Sequence, residues 1–405
     1  QMLKKFPSSV VLYNIAGASN AGLMQFDAAI ESFKQALKIN PNDAEVHNNI
    51  GIALQRTGDS EAAIDSFKQA IKINSDYAVA YFNMGVSLEA KGDSEAAIGS
   101  YKQALNIKPD YAEPYYNMGF ALHSKGDLGA AIESYKQALK IKPNYVAAYN
   151  NMGVSLKAKG ELAAALDCYK QAIKINPSFV AAYINMGAAL QAKNDLEAAI
   201  AIFREALNIK PDCAEAYKNM GNALYAKRDL QAAIDSFKQA LKIKPDDAEV
   251  YNNMGNALQA NGCSKDAINS FKQALKIKPD YAEAYINMGH VLTNKGDSES
   301  AIKSYGIALK FKPDNQSAYI SRLHQQLHVC DWAALDQDRD IIAQLGTSTE
   351  PTQPLALIPL EDAPARHRIR SENATKVLHG HKTPMPLSAR PSKKRQHLRI
   401  GYFST

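Results

Sequence analysis

A chain of 405 residues, 46% hydrophobic and 22% charged, carries enough apolar content for buried cores, yet holds no apolar run of the roughly 18 residues that a membrane helix needs. Its net charge of +6 gathers at one end, since residues 361–405 hold ten Lys or Arg against three acids; the rest is near neutral, which argues against nucleic acid as a ligand. Cys168, Cys213, Cys263 and Cys330 have no metal-ligand spacing, and no signal or transit peptide is visible, so the reading is of free thiols in the cytoplasm, without a metal or a membrane.

Residues 1–9 end with Pro7 placed 34 residues ahead of Pro41, and there is no initiator Met, so they read as the tail of a preceding repeat. From residue 10 to 315 a 34-residue unit recurs nine times. Glycine holds one column from Gly17 to Gly289, alanine another from Ala29 to Ala301, and Phe or Tyr a third from Phe33 to Tyr305. Proline closes each unit from Pro41 to Pro313, with Ser75 as the exception.

Within a unit the apolar residues recur at i, i+3 or i+4, and i+7, as in Tyr81, Met84 and Leu88, which predicts two short amphipathic helices. The small columns have a steric meaning: at Gly85 and Ala97 the partner helix comes too near for larger side chains, and Tyr101 fills the space beside them. The turn between the helices reads Lys91-Gly92-Asp93, with Gly92 in the left-handed region and Asp93 or Ser94 as the cap. Asn194 and Arg228 stand in the place of that glycine, the arginine at a local cost. The Tyr column from Tyr81 to Tyr285 reads as packing, and the Lys-Gln pairs Lys68-Gln69, Lys102-Gln103 and Lys238-Gln239 as a wet, convex, solubilising face.

This pattern resembles the tetratricopeptide repeat, which shares its period and the order of its small, aromatic and proline positions. The resemblance implies an all-α, right-handed superhelix of helix-turn-helix hairpins whose first helices line a concave groove. One position of those first helices is Asn in eight consecutive units: Asn49, Asn83, Asn117, Asn151, Asn185, Asn219, Asn253 and Asn287. A carboxamide offers a donor and an acceptor, so a ladder of them can hold the backbone of an extended polypeptide with little regard for its sequence. Each such hydrogen bond is worth about 0.5–1.5 kcal/mol. Phe82, Tyr116, Phe120 and Tyr225, with His123 and His290, would supply sequence preference as groove neighbours. Two blander readings stand beside this one: the ladder was copied by repeat duplication, or it hydrogen-bonds the adjacent helix.

Tetratricopeptide domains that grip a terminal carboxylate use Lys and Asn on one repeat, Asn on the next, and Lys with Arg on a third. Lys218, Asn222 and Asn253 match the first two parts. Glu283 and Asn287 occupy the third, so carboxylate docking is disfavoured.

Repeat register decays over residues 316–349, where Leu323 replaces the glycine and Ser321 the asparagine; this reads as a degenerate capping repeat followed by a Cys330-Asp331-Trp332 helix running through Ile342 and Leu345. A Pro-rich basic linker with a short helix spans 350–397, and Leu398-Arg399-Ile400-Gly401-Tyr402-Phe403-Ser404 closes the sequence in segment 398–405. The order of these parts resembles the entry to the catalytic region of the O-linked N-acetylglucosamine transferase family, including its SPINDLY-like relatives. That resemblance makes 398–405 the first strand of a truncated α/β glycosyltransferase domain. It implies a protein-binding arm that recruits extended or disordered segments of other proteins, for Ser or Thr modification from UDP-N-acetylglucosamine or GDP-fucose. No catalytic residue, cofactor site or metal site is expected in the 405 residues themselves, and His379, His381 and His397 read as linker residues. The alternative is a stand-alone scaffold that assembles protein complexes without catalysis, with homodimerisation through the convex face left open.

Overall fold

The computed structural model describes residues 6, 8–338 and, singly, Ile342, Leu345, Ile369, Ser371 and Asn373. The described residues form twenty α-helices and no strand. The expected strand at 398–405, most of the linker at 350–397, and residues 1–5 and 7 lie outside them.

The chain falls into two compact units, Gln1–Ala257 and Leu258–Thr405. In the first, hairpins such as Ala78–Ala90 with Ser94–Ile107 and Val180–Ala192 with Leu196–Ile209 follow one another at the sequence period. The reason for each hairpin is visible at its crossing. A Cβ built on Gly85 would lie 2.4 Å from Cε1 of Tyr101, and one on Gly187 2.4 Å from Cε1 of Phe203. Both rings are fully buried, so the missing side chain of one helix is the seat of the other's aromatic.

The turns follow from local chemistry. Gly92 sits at φ 85°, its N–H bonds the Glu89 carbonyl, and the Asp93 carboxylate accepts from the Ala96 N–H at 3.1 Å to start the next helix. Asn194 and Arg228 hold the same left-handed conformation at φ 64° and 69°. Arginine has a Cβ to strain there, so Arg228→Gly should stabilise the protein by about 0.5–1 kcal/mol, the relieved strain exceeding glycine's extra chain entropy. Thermal melting of the two proteins side by side checks this; an unchanged or lowered midpoint would show that the backbone carries no strain at Arg228.

The second unit continues with Ser264–Ile277, Ala282–Asn294, Ser298–Phe311, Gln316–His328 and Trp332–Gln337. Its core gathers Phe271, Val291, Tyr305, Leu323, Ile342 and Leu345. Leu323, fully buried, fills with its own side chain the position that Gly289 leaves open to Tyr305 one repeat earlier. The helix after Cys330 is described over Trp332–Gln337, with the Asp331 side chain accepting from the Ala334 N–H, and further on Ile342 is helical, its N–H bonding the Asp338 carbonyl at 2.9 Å. Asp338 then turns back to the preceding helix, accepting from the Tyr319 hydroxyl and pairing with Arg322 at 2.7 Å. Trp332 itself is 61% exposed.

Candidate peptide-binding groove

All eight ladder asparagines are half-buried on first helices, seven in the first unit and Asn287 in the second. Five of them give one amide N–H to the neighbouring repeat. Asn49 donates to Asn14 Oδ1 at 3.4 Å, Asn83 to Asn48 Oδ1 at 3.0 Å, Asn151 to the Tyr116 hydroxyl at 3.0 Å and Asn185 to Asn150 Oδ1 at 3.0 Å. Each acceptor lies 35 residues earlier in the chain. Asn48 and Asn150 are buried side chains, and the ladder donates to their carbonyl oxygens.

Where the residue at that earlier position cannot accept, the pattern changes. Phe82 stands opposite Asn117, whose amide lies instead against the Tyr101 hydroxyl. Ile184 stands opposite Asn219, whose side chain has no hydrogen-bond partner among the described residues. Lys218 stands opposite Asn253, which donates to Asn222 Oδ1 at 3.1 Å within the same unit.

Asn219 keeps its whole amide uncommitted, while each amide that donates to the preceding repeat still has a second N–H. Asn49, Asn83 and Asn185 keep a carbonyl oxygen with no protein donor among the described residues, whereas Asn151 and Asn253 receive a bond there from Asn150 and Asn252. What the ladder can offer an extended chain is the second N–H of each amide and, at Asn49, Asn83, Asn185 and Asn219, an acceptor oxygen that no described residue fills. Sequence reasoning misses the asparagines at the preceding position, although they recur at Asn14, Asn48, Asn150 and Asn252.

Asn83 and Asn117 line a cavity of about 510 Å³ in the first unit, together with Phe82, Gln55, Arg56 and Ser87. Gln55 bridges into the next repeat, donating to the Asn83 backbone carbonyl and the Ser87 hydroxyl at 2.8 Å each. His123 reaches Ser155 in the same way at 2.9 Å. Phe82 packs on Tyr101 and Tyr111, and Tyr116 on Tyr135 and Tyr145. Tyr225 is half-buried and Phe120 is exposed. In the second unit His290 packs against Tyr305 and lines a separate cavity of about 380 Å³ with His324, Ser321 and Thr293; burial lowers its pKa and favours the neutral ring.

Glu89 accepts the Tyr101 hydroxyl at 2.9 Å, and burial raises its carboxyl above the ordinary range despite that bond. The folded state thus holds this proton more tightly than the unfolded chain. The resulting penalty is full above the raised folded pKa, is relieved as pH falls through it, and is gone below the unfolded value. Glu89→Gln keeps an acceptor for Tyr101 without the charge, so it should raise the melting temperature at neutral pH and converge with wild type in mild acid. A gap that did not narrow with acidification would refute the burial argument.

The partial carboxylate clamp is internally engaged. Lys218 pairs with Glu249 at 2.9 Å, which holds the one cation the partial clamp offers a ligand carboxylate, and Asn222 accepts from Asn253 through its Oδ1. No cluster of His, Cys, Asp or Glu that could hold a metal occurs among the described residues, and none of their helices is long and apolar enough to cross a membrane. Cys168 is buried, which pushes its thiol up to about 11.

Among solved structures, a tetratricopeptide repeat protein from Parabacteroides merdae ATCC 43184 is similar at 17% identity and a TM-score of 0.50, over 62% of this chain and 98% of that one. The MamA protein matches at 28% identity and 0.39, over 42% and 92%. YrrB, described as a TPR protein with an unusual peptide-binding site, matches at 22% and 0.38, over 45% and 95%. No curated protein matches the chain. A TPR repeat family model matches residues 25–58, 57–92, 88–126, 121–160, 155–194, 191–228, 221–262 and 265–296, and a second tetratricopeptide repeat model matches 282–315. With its period, its glycine–aromatic crossings and these matches running through most of its length, the chain belongs to the tetratricopeptide-repeat family.

Proposed function

We propose that the first unit binds extended polypeptide segments of other proteins along its asparagine ladder. The observation that carries this reading is the recurrence of a half-buried asparagine at one position of seven first helices, with carbonyl acceptors uncommitted at Asn49, Asn83 and Asn185 and a whole amide at Asn219. The cavity beside Asn83 and Asn117 provides room for a side chain of the bound segment. Binding of a panel of unrelated unstructured peptides to wild type and to Asn219→Ala tests it. A similar loss for every peptide supports backbone recognition, and an unchanged panel refutes it.

The finer reading is that this array is the substrate-recruiting arm of a protein O-linked N-acetylglucosamine transferase-like enzyme. It is supported by Cys330-Asp331-Trp332, where Asp331 caps the helix that follows Gln316–His328, and by the sequence at 398–404. Transfer of labelled sugar from UDP-N-acetylglucosamine to proteins of a lysate by the product of the whole gene, beside this 405-residue chain alone, tests it. Transfer by the whole product only is the expected result. Transfer by neither, with peptide binding intact, would leave the scaffold.

A further inference from the structure

Two columns of acids pair with lysines at several repeats of the first unit; each lapses at some repeats there, as at Gly129, Ala163, Gly99 and Ala201, and in the second unit a lysine takes the acid's place in both. The first joins repeats: Lys91 pairs with Glu61 at 3.2 Å, Lys227 with Glu197 at 3.2 Å, and Lys125 with Glu95, each pair 30 residues apart. Thirty residues before Lys295 stands Lys265. The second column lies within a helix, where Lys68, Lys136, Lys170 and Lys238 pair with Asp65, Glu133, Asp167 and Asp235. The corresponding partner of Lys272 is Asn269, and one repeat later that position is Lys303.

These four lysines border one groove, of about 490 Å³, walled by Ser264–Ile277 and Ser298–Phe311. All four are exposed, and none pairs with an acid among the described residues. The one acid on the lining, Asp297, accepts from the Ser300 N–H as a helix cap. The floor is apolar, made by Ile268, Met288, Leu292 and Ile307. Isolated surface ion pairs contribute little to stability, so losing them costs the fold almost nothing while concentrating positive potential over an apolar hollow.

We propose that this groove is a docking site for an acidic segment of a partner protein that places an apolar side chain on the floor and carboxylates against the four lysines. Charge complementarity selects the acid, and the hollow selects a peptide over a phosphate backbone, which would present no apolar group to Met288 and Leu292. This site is independent of the asparagine ladder.

The probe is a labelled short peptide alternating glutamate with leucine, followed by fluorescence anisotropy on the full chain. Lys265→Glu, Asn269→Asp and Lys303→Asp together restore residues that other repeats carry at the same positions. The restored protein should bind the probe at least about tenfold more weakly, wild-type binding should weaken with added salt, and the glutamine version of the probe should bind wild type at least about tenfold more weakly than the glutamate one and should not distinguish wild type from the restored protein. Introducing Asn219→Ala into both proteins should leave their affinity ratio for the probe unchanged, which separates failure of this proposal from failure of the ladder reading. If circular dichroism shows the restored protein misfolded, Lys265→Ala with Lys303→Ala replaces it with the same expected direction. No binding to wild type, equal binding to the charge variants, equal binding of the glutamine probe, or binding of a single-stranded oligonucleotide in preference to the peptide would each overturn the proposal.

Discussion

Phe203→Ala is expected to cost about 3–5 kcal/mol of local stability, the usual penalty for deleting a buried ring whose surroundings cannot collapse. Phe203 is fully buried, and the hollow it fills is made by the absence of a side chain at Gly187. Gly187→Ala attacks the same crossing from the other side. Its Cβ would sit 2.4 Å from the ring's Cε1, so ring or helix must move, at about 1–3 kcal/mol. The two changes share one space, so the double variant should be less damaged than the sum of the singles, the alanine methyl occupying part of the cavity. In a repeat array the loss should stay local, appearing as faster amide exchange across Val180–Ala192 and Leu196–Ile209 ahead of distant repeats. Additive costs in the double variant, or a penalty under about 1 kcal/mol for Phe203→Ala, would mean that the crossing is looser than the structure has it.

The second large effect belongs to the ladder. Changing Asn151, Asn185, Asn219 and Asn253 together to Ala should weaken binding of unrelated extended peptides by at least about thirtyfold, taking about 0.5 kcal/mol for each hydrogen bond to the peptide that is removed. The structure divides this set by consequence. Asn185→Ala leaves the buried Asn150 Oδ1 without its donor, at a stability cost of about 1–3 kcal/mol, whereas Asn219 has no such duty among the described residues. Asn219→Ala should therefore reduce peptide affinity at unchanged melting temperature, and Asn185→Ala should lower both. If Asn219→Ala binds as wild type while Asn185→Ala only destabilises, the ladder is a device for joining repeats and not a binding surface.

The legible parts of this protein are those set within one repeat. The Gly85–Tyr101 crossing, the Asp93 cap and the left-handed Gly92 all involve residues at most 16 positions apart, and each is fixed by sterics or a single hydrogen bond that any copy of the unit must make. The half-legible part is the ladder. Its position on the first helix could be read from the period, but not which amides spend one N–H on the residue 35 positions earlier. The resemblance to carboxylate-gripping domains likewise matched Lys218 by column, yet Glu249, 31 residues on, holds that lysine.

Sequence alone determined the fold family, the two helices of each repeat and the column of candidate asparagines, because an amphipathic period with small and aromatic residues at set places admits one close-packed solution per repeat. Only the tertiary structure decided which polar groups remain open, how Leu323 and Asp338 end the regular pattern, and that Lys265, Lys272, Lys295 and Lys303 share a groove. Those outcomes depend on the offset between stacked repeats, and hydrogen bonds and charge pairs over a few ångströms are sensitive to an offset that hydrophobic periodicity does not encode.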